Sequence, residues 1–371
     1  MSTITAKPDR TAPGPQPLPH IAELAPYKQG KSEIPGKADP IKLSSNECCF
    51  GPSPAAVEAY YAVAAKLHRY PDGAQRALRT AIGEAYDINP DRVVCGNGSE
   101  EVIGLLVRCF VGPGDELLLP QNHFVMCSIY GKGQGAEIVL APEHEHTVDV
   151  DELLARVTDR TRMIAIANPN NPTGTYLARD EVQRLIDNVR SDVVILLDGA
   201  YAQYVKASDF DPGFGWADTC ENVFVTHTFS KIYGLAGLRI GWGYGPAAIV
   251  ETINRLRTPF NASLESMAAA AAAVQDRDFV ERVREHTARW QLRFQNELGG
   301  LGIHVVPSVA NFYLMHFERI PGKSANAAGR WLEENGIIPR PAADDRCLRV
   351  TVGTDEENEA VIRSLTDYVA S

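Results

Sequence analysis

A serine, a lysine and an arginine that lie close together in the sequence form the group with the clearest chemistry. Ser230 and Lys231 end a short apolar run, and Arg239 follows eight residues after the lysine across a glycine-containing loop. A lysine amine can bind an aldehyde as a Schiff base, whereas hydroxyl and guanidinium groups bind phosphate. Thr228 adds a second hydroxyl. The cofactor that carries both an aldehyde and a phosphate is pyridoxal 5'-phosphate (PLP), so this spacing predicts a PLP site anchored at Lys231.

A carboxylate, a phenol and an amide follow two other apolar runs. Asp198 ends the run 193–197, and Tyr201 comes three residues later. A carboxylate at the end of a strand can pair with a protonated pyridine nitrogen and so increase the electron demand of the ring. Tyr201 and Asn171 can hydrogen-bond the phenolic oxygen of that ring. Asp198 alone is equally compatible with a plain turn, but its distance of thirty-three residues from Lys231 favours the functional interpretation.

A glycine-rich segment and an aromatic residue complete the predicted cofactor site. The segment 96–101 joins a strand to a helix, and a helix N-terminus binds anions. Ser99 is predicted to be an N-cap, a phosphate ligand or both. Phe124 is expected to stack on the pyridine ring, although a core phenylalanine fits the same pattern. His123 is expected to be structural rather than catalytic.

Two arginines near the C-terminus are the candidates for substrate binding. Arg349 lies within the apolar run 348–352, and a buried guanidinium needs an anion. That anion is either a nearby carboxylate or a carboxylate or phosphate of the substrate, and we favour the substrate. Arg340 is the second candidate. Tyr70, which precedes a helix, is either a core residue or a hydrogen-bond donor.

The elements that must position these residues alternate along the chain. Short, β-branched runs predict strands buried on both faces, and they lie at 93–95, 116–119, 163–167, 193–197 and 223–225. Apolar residues with helical spacing lie between them, near 100–110 and 179–190. This alternation predicts an α/β fold with a mainly parallel sheet covered by helices on both sides. Ligands of such sheets bind at the carboxyl ends of the strands, where the candidate residues are expected to meet.

The pattern changes after about residue 258. Helices are predicted near 264–274, 278–298, 324–335 and 355–369, and short strands near 303–306, 311–317 and 347–352. We therefore divide the chain into three parts. They are a flexible, proline-rich arm at 1–25, a large PLP-binding domain at 26–257 whose first part leads in from the small domain, and a small α+β domain at 258–371.

The composition excludes several classes of protein. The 371 residues carry a net charge of -11, with a pI of about 5.4, which argues against a general nucleic-acid surface. No apolar run reaches the roughly 18–20 residues of a membrane helix, and the N-terminus lacks the apolar core of a signal peptide. The seven cysteines show no Cys-x-x-Cys spacing. They predict reduced thiols in a cytoplasmic protein, without a disulfide framework or a metal site.

Together the motifs resemble the PLP-dependent aminotransferases of fold type I, and among them the histidinol-phosphate aminotransferase family. The resemblance runs from about Tyr27 to the C-terminus. The motifs that carry it are Arg69–Asp72, Gly98–Glu101, Asn170–Gly174, Asp198–Tyr201, Thr228–Lys231 through Gly237–Arg239, and Leu348–Gly353.

The resemblance implies a function and a set of roles. It implies a large domain with a mainly parallel seven-stranded sheet, and amino transfer from histidinol phosphate to a 2-oxo acid, most often 2-oxoglutarate, in histidine biosynthesis. It also implies a homodimer with shared active sites, in which Tyr70 reaches into the neighbouring site. The implied phosphate ligands are Ser99, Glu100 through its backbone, Thr228, Ser230 and Arg239. The implied substrate-binding residues are Tyr27, Asn46, Arg340 and Arg349.

The sequence departs from the family pattern at three places, of which the first and third line the substrate side in relatives. Cys48 and Cys49 stand where the family usually has Asn-Pro, Gly199 stands where it usually has an acidic residue, and the segment 340–349 is shorter than usual. An aromatic amino-acid aminotransferase on the same fold therefore stays an alternative. A PLP-dependent decarboxylase of a phosphorylated amino acid shares most of the same motifs. A PLP-sensing regulator would need a DNA-binding domain, and no helix-turn-helix precedes residue 27.

Overall fold

The structure is a computed structural model that describes residues 14–342, 344 and 346–371. The first thirteen residues of the predicted arm therefore lie outside the described residues. The helices are α1 (Pro19–Ala22), α2 (Pro54–Val63), α3 (Arg76–Tyr86), α4 (Ser99–Phe110), α5 (Val125–Gly133), α6 (Val150–Leu154), α7 (Arg179–Asn188), α8 (Phe214–Thr219), α9 (Ala247–Leu256), α10 (Leu264–Gln275), α11 (Arg277–Gly300), α12 (Ala325–Glu334) and α13 (Asp355–Ala370). The strands are β1 (Ile41–Lys42), β2 (Val93–Gly96), β3 (Glu116–Pro120), β4 (Glu137–Ala141), β5 (Glu143–His144), β6 (Thr147–Val148), β7 (Thr161–Ala167), β8 (Val194–Asp198), β9 (Val223–Thr228), β10 (Gly241–Tyr244), β11 (His304–Val305), β12 (Phe312–His316), β13 (Ile337–Ile338), β14 (Arg340–Pro341) and β15 (Cys347–Thr351).

The large sheet has seven strands in the order β2-β10-β9-β8-β7-β3-β4. Only β10 runs antiparallel to its neighbours, so the predicted seven-stranded, mainly parallel sheet is confirmed. The register places Asp198 beside Ala167 on one side and beside Thr226 on the other. The carboxyl ends of β7, β8 and β9 therefore lie side by side.

Helices cover both faces of this sheet, as the doubly buried strands require. Successive residues of one strand point into different cores, since Val225 packs in one hydrophobic cluster and Phe224 in another. Helix α4 lies on the Phe224 side, and α2, α3 and α10 pack together on the other. The exposed edge strand β4 and the glycine-containing β10 were not among the predicted strands.

A second, antiparallel sheet has the order β11-β12-β15-β14 and forms its own core with parts of α11, α12 and α13. Strand β1 joins this part of the molecule by pairing with β13. The first core extends beyond residue 258, because α10 and the start of α11 supply Met267 and Phe279 to it. Within the described residues, no helix has the length and apolar content needed to cross a membrane.

Candidate active site

A cavity of about 830 Å³ opens at the carboxyl ends of the parallel strands. Segments that follow β3, β7, β8 and β9 form its floor, and β14, β15 and the chain near residues 23–30 close its side. All but one of the predicted site residues line it. These are Tyr27, Asn46, Ser99, Glu100, Phe124, Asn171, Asp198, Tyr201, Thr228, Ser230, Lys231, Arg239, Arg340 and Arg349.

Lys231 lies three residues beyond β9 with its amine directed into the cavity. Its Nζ donates to the carbonyl oxygen of Ser45 at 3.2 Å and lies 5.7 Å from the centre of the Tyr201 ring. Burial lowers the pKa of Lys231 to about 8, and the charge of Arg349 acts in the same direction. A lysine of this kind supplies a neutral amine close to neutral pH, as a nucleophile or a base requires.

Asp198 is the last residue of β8 and is only 6% exposed. Its Oδ1 accepts a hydrogen bond from the hydroxyl of Thr226 at 3.0 Å. Burial raises the pKa of Asp198 to about 6, although this hydrogen bond acts against the shift. No Lys, Arg or His of the described residues forms an ion pair with it. A protonated ring nitrogen would supply the missing positive charge, so this carboxylate fits the pyridine ring of PLP.

The loop before α4 and the loop before β10 form a cradle for an anion. Gly98 has a φ of +83°, and a Cβ at this position would lie 2.7 Å from Nη2 of Arg239. The guanidinium also donates from Nη1 to Oγ of Ser230 at 3.2 Å, and the backbone amide of Ser230 donates to Oγ1 of Thr228 at 3.1 Å. Free amides at the start of α4, beginning at Ser99, face the same place. This donor set fits a phosphate group.

Tyr201 is held by a hydrogen-bonded group that links both sheets. Nδ2 of Asn46 donates to the Tyr201 hydroxyl at 2.9 Å, and the Thr351 hydroxyl donates to Oδ1 of Asn46 at 3.1 Å. The backbone amide of Asn46 donates to Thr351 at 3.0 Å. Burial raises the pKa of Tyr201 to about 12, which keeps the phenol protonated and able to donate.

Arg349 lies at the side of the cavity without a carboxylate partner among the described residues. Its Nη1 donates to Oδ1 of Asn171 at 2.7 Å and its Nη2 to the carbonyl oxygen of Ser44 at 3.0 Å, while the buried Nε has no partner. Arg340 lies beside it in the register of β14 and β15 and donates to the carbonyl oxygen of Lys28 at 2.9 Å. Two neighbouring guanidinium groups with donors to spare fit an anionic substrate.

Tyr70 is the predicted site residue that does not reach this cavity. Its side chain is 83% exposed and stacks on Phe260 with the ring centres 4.7 Å apart. Within one chain it contributes nothing to the cavity.

Other residues at the site were not predicted as functional. Thr226 supports Asp198, and the Ser45 carbonyl holds Lys231. Thr226 had a visible signal, because it lies two residues before Thr228 and so shares its face of β9. His123 also lines the cavity, with its Nδ1 2.9 Å from the carbonyl oxygen of Pro120. The described residues contain no group of His, Cys, Asp and Glu that could hold a metal ion.

Known proteins resemble this chain over almost its whole length. Residues 38–365 match the family model of class I and II aminotransferases. The histidinol-phosphate aminotransferase of Rhodopseudomonas palustris strain HaA2 is 47% identical over 360 residues, which cover 96% of this chain and 99% of that protein. The protein of the same name from Nitrobacter winogradskyi is 46% identical over 361 residues, with coverage of 96% and 99%. The crystal structure of histidinol-phosphate aminotransferase from Sinorhizobium meliloti in complex with pyridoxal-5'-phosphate has a TM-score of 0.87 and 25% identity, and covers 97% of this chain and 99% of that one.

Proposed function

Because the chain belongs to the class I and II aminotransferases, we propose that it transfers the amino group of histidinol phosphate to 2-oxoglutarate with PLP as cofactor, as a step of histidine biosynthesis. The observation that carries the proposal is the pair of Arg340 and Arg349, which line the same cavity as Lys231 and have no carboxylate partner among residues 14–342, 344 and 346–371. The curated relatives of the same name support the choice of amino donor.

The cofactor residues divide into those that hold it and those that tune it. PLP supplies, when bound, an aldehyde that joins an amine and a ring that accepts the electrons released at the substrate Cα. Ser99, Thr228, Ser230 and Arg239 would bind the phosphate through their hydroxyl, backbone amide and guanidinium donors. Phe124 lines the same cavity and would stack on the ring.

Lys231 is the group that moves the proton. Its amine would hold the aldehyde of the cofactor, and the amine of the donor would displace it. With its pKa lowered to about 8 by burial, the free amine could remove the proton from the substrate Cα and deliver it to the carbon that was the cofactor's aldehyde. The Ser45 carbonyl fixes the position of Nζ during this transfer.

Asp198, Tyr201 and Asn171 set the electronic state of the site. The Asp198 carboxylate, oriented by Thr226, would stabilise a proton on the ring nitrogen. Tyr201 and Asn171 would donate to the phenolic oxygen of the ring. Asn171 also accepts from Arg349, so the group that contacts the cofactor and the group that contacts the substrate are directly joined.

A donor panel tests the proposal. We expect steady-state turnover with histidinol phosphate and 2-oxoglutarate to exceed turnover with phenylalanine or tyrosine as donor. Arg349→Gln should lower kcat/KM for histidinol phosphate by about 10- to 100-fold, the effect of one lost charge-assisted contact. Arg346→Gln is the matched control, because Arg346 is exposed and already pairs with Asp344.

Two outcomes would assign another function. Faster turnover of phenylalanine or tyrosine than of histidinol phosphate would make the chain an aromatic amino-acid aminotransferase. Release of carbon dioxide without any 2-oxo acid would make it a decarboxylase.

We also infer a homodimer in which Tyr70 contributes to the neighbouring site, as the family resemblance implies. In support, Tyr70 and nearby Tyr61 and Leu67 are 83%, 70% and 62% exposed, an unusual cost for large apolar side chains on one stretch of surface. Analytical ultracentrifugation should give about twice the chain mass of 40.5 kDa. A monomer at micromolar concentration with full activity would rule this arrangement out.

A cytoplasmic location is our inference for the compartment. All seven thiols are free, which suits a reducing environment. Fractionation of cells that produce the protein should place its activity with cytoplasmic markers, and recovery in the membrane or secreted fraction would contradict the inference.

A further inference from the structure

A buried chain of polar side chains runs beneath the site, on the side away from the cavity. The Tyr233 and Tyr86 hydroxyls lie 2.6 Å apart, and Nε2 of Gln203 lies 2.9 Å from the Tyr86 oxygen and 2.9 Å from Nδ1 of His227. None of these side chains lines the cavity. Gln203, Tyr233 and His227 are at most 9% exposed. Burying four polar side chains costs free energy unless they form hydrogen bonds with one another. The series of hydrogen bonds that joins these four side chains is therefore a specific feature of the protein.

One end of the chain supports the turn that carries Asp198. In β9 the side chains of Thr226 and His227 point to opposite faces, with Thr226 bonded to Asp198 and His227 below. The His227 ring occupies the space under Gly199, because a Cβ there would lie 2.6 Å from its Cε1. The backbone amide of Gly199 donates to the carbonyl oxygen of Thr226 at 2.8 Å. The absence of a side chain at 199 is thus matched by the imidazole at 227.

The other end supports the loop that carries Lys231. Tyr233 is two residues beyond the lysine, and the amide of Gly234 donates to the carbonyl oxygen of Lys231 at 3.0 Å. Tyr233 is fixed from below by its short contact with Tyr86. The hydrogen-bonded series therefore begins at the turn that follows Asp198 and ends in the loop that carries Lys231.

His227 acts here as a neutral group. Burial lowers its pKa to about 3. The rings packed against it are Trp242 at 4.7 Å, Phe214 at 5.1 Å and Tyr86 at 6.0 Å between centres. The charged group next to the chain is Arg284, which donates to the carbonyl oxygen of Gln203. His227 therefore takes no part in proton transfer, and its contribution is one of geometry.

We propose that the chain His227–Gln203–Tyr86–Tyr233 fixes the position of the Asp198 carboxylate relative to the Lys231 amine, with His227 as a positioning residue matched to Gly199. The inference rests on the proposed PLP chemistry and deepens it. It assigns to a hydrogen-bonded chain in the core a role in holding the two groups that contact opposite parts of the cofactor.

The test compares variants that break the chain with variants that keep it. His227→Phe keeps a ring of similar size and loses the bond to Gln203, whereas His227→Asn retains a polar atom near the position of Nδ1. Tyr86→Phe removes the hydroxyl that links Gln203 to Tyr233 and serves if His227→Phe does not fold. Phe214→Leu is the control, because it disturbs the same aromatic cluster without touching a hydrogen bond.

Two readouts are taken without any amino donor, so they do not depend on the identity of the substrate. They are the dissociation constant of PLP from the apoprotein, by fluorescence, and the pH midpoint of the absorbance change of the bound cofactor. His227→Phe and Tyr86→Phe should weaken PLP binding by about 5- to 50-fold, the range for one buried hydrogen bond lost. They should also shift the pH midpoint, and His227→Asn should restore most of both values.

Phe214→Leu should lower only the melting temperature of the apoprotein. The proposal is overturned if His227→Phe and Tyr86→Phe leave both readouts unchanged, or if Phe214→Leu changes them equally. Failure to turn over histidinol phosphate would affect the proposed donor but neither of these readouts.

Discussion

Lys231 and Asp198 are the two central ionisable residues of the site, and burial disfavours the charged form of each. Burial lowers the pKa of Lys231 to about 8 and raises that of Asp198 to about 6. A lysine whose pKa is lower in the folded protein binds fewer protons there than in the unfolded chain. Its unfavourable contribution to stability is therefore absent above pH 10.5, appears as the pH falls to 8, and is complete at pH 7.

Replacing the lysine should therefore stabilise the apoprotein. We expect Lys231→Met to raise the free energy of unfolding at pH 7 by about 1–3 kcal/mol, because the substitution removes a buried positive charge. Denaturant titration at pH 7 and pH 10.5 measures the effect, which should be smaller at the higher pH. Equal stability of both proteins at the two pH values would contradict the account of Lys231, whereas the variant's loss of activity is expected in any case.

The Asp198 carboxylate should matter more than the hydroxyl that orients it. Asp198→Asn keeps the shape but removes the charge that holds the ring proton, so kcat should fall by about 10²- to 10³-fold. Thr226→Val deletes only the 3.0 Å hydrogen bond and should cost about 10-fold or less. Steady-state kinetics compares the two, and a larger loss in Thr226→Val would assign the dominant role to the hydroxyl.

At the scale of elements, the strands predicted in the large sheet are those that appear in the sequence as continuous apolar runs, because helices cover both of their faces. β8 and β9 are continuous apolar runs, and both were found within a few residues of their ends. β4 was missed because it is the exposed edge of the sheet and shows no buried run. β10 was missed because its sequence, Gly241-Trp242-Gly243-Tyr244, contains glycines that are typical of turns.

The glycines of β10 have a physical reason that the structure makes visible. A Cβ on Gly241 would lie 2.1 Å from the backbone nitrogen of Ser99, so a side chain here would displace the start of α4. Gly241→Ala should therefore lower the free energy of unfolding by about 1–3 kcal/mol and weaken PLP retention. Melting curves and absorbance after dialysis measure both effects.

Gly237→Ala is the matched control for this prediction. Gly237 lies four residues before Gly241, in the loop that leads to β10. A Cβ on Gly237 would meet nothing within 4 Å. Both readouts should be close to those of the unchanged protein. If Gly237→Ala lost PLP as readily as Gly241→Ala, the close approach at Ser99 would not be the cause.

At the scale of the whole molecule, three histidines form a cluster. His304 and His316 lie in the second sheet, and His146 lies in the turn between β5 and β6. The His316 ring lies 4.6 Å from that of His146 and 5.5 Å from that of His304, centre to centre. Burial lowers the pKa of His316 to about 4, and the other two histidines add repulsion. The charged residues described around the same pocket are Glu143, Glu145, Glu318, Arg319, Asp344 and Arg346.

This cluster should make the molecule sensitive to acid. Because the pKa of His316 is lower in the folded protein, its cost is absent above pH 6.5 and develops as the pH falls towards 4. The free energy of unfolding should lose about 1–3 kcal/mol over this range from the cluster, and His146→Asn should reduce the loss. His68→Asn, at an exposed position, is the control. An unchanged pH profile in His146→Asn would argue against the cluster.

The candidate site was predictable in its chemistry but not in all of its geometry. Fourteen of the fifteen residues predicted from the motifs line one cavity. Each of them either follows a strand of the large sheet or lies opposite the carboxyl ends of its strands. Tyr70 lies outside this cavity, where its exposed ring stacks on Phe260, so its role in a neighbouring site stays a prediction. The predicted boundary at residue 258 separates α10 from the first core, in which Met267 packs, because the alanine-rich sequence of α10 has no distinct apolar face that would indicate its partner.

The short pairing of β1 with β13 has a mechanical consequence. Ile41 and Lys42 are fastened to Ile337 and Ile338, and the next few residues lead straight to Ser45 and Asn46. A displacement of β13 would therefore move this segment. It would also move the Ser45 carbonyl that binds Lys231 and the Asn46 amide that binds Tyr201. A displacement of the second sheet would thereby reach Lys231 and Tyr201 through a covalent connection of only a few residues.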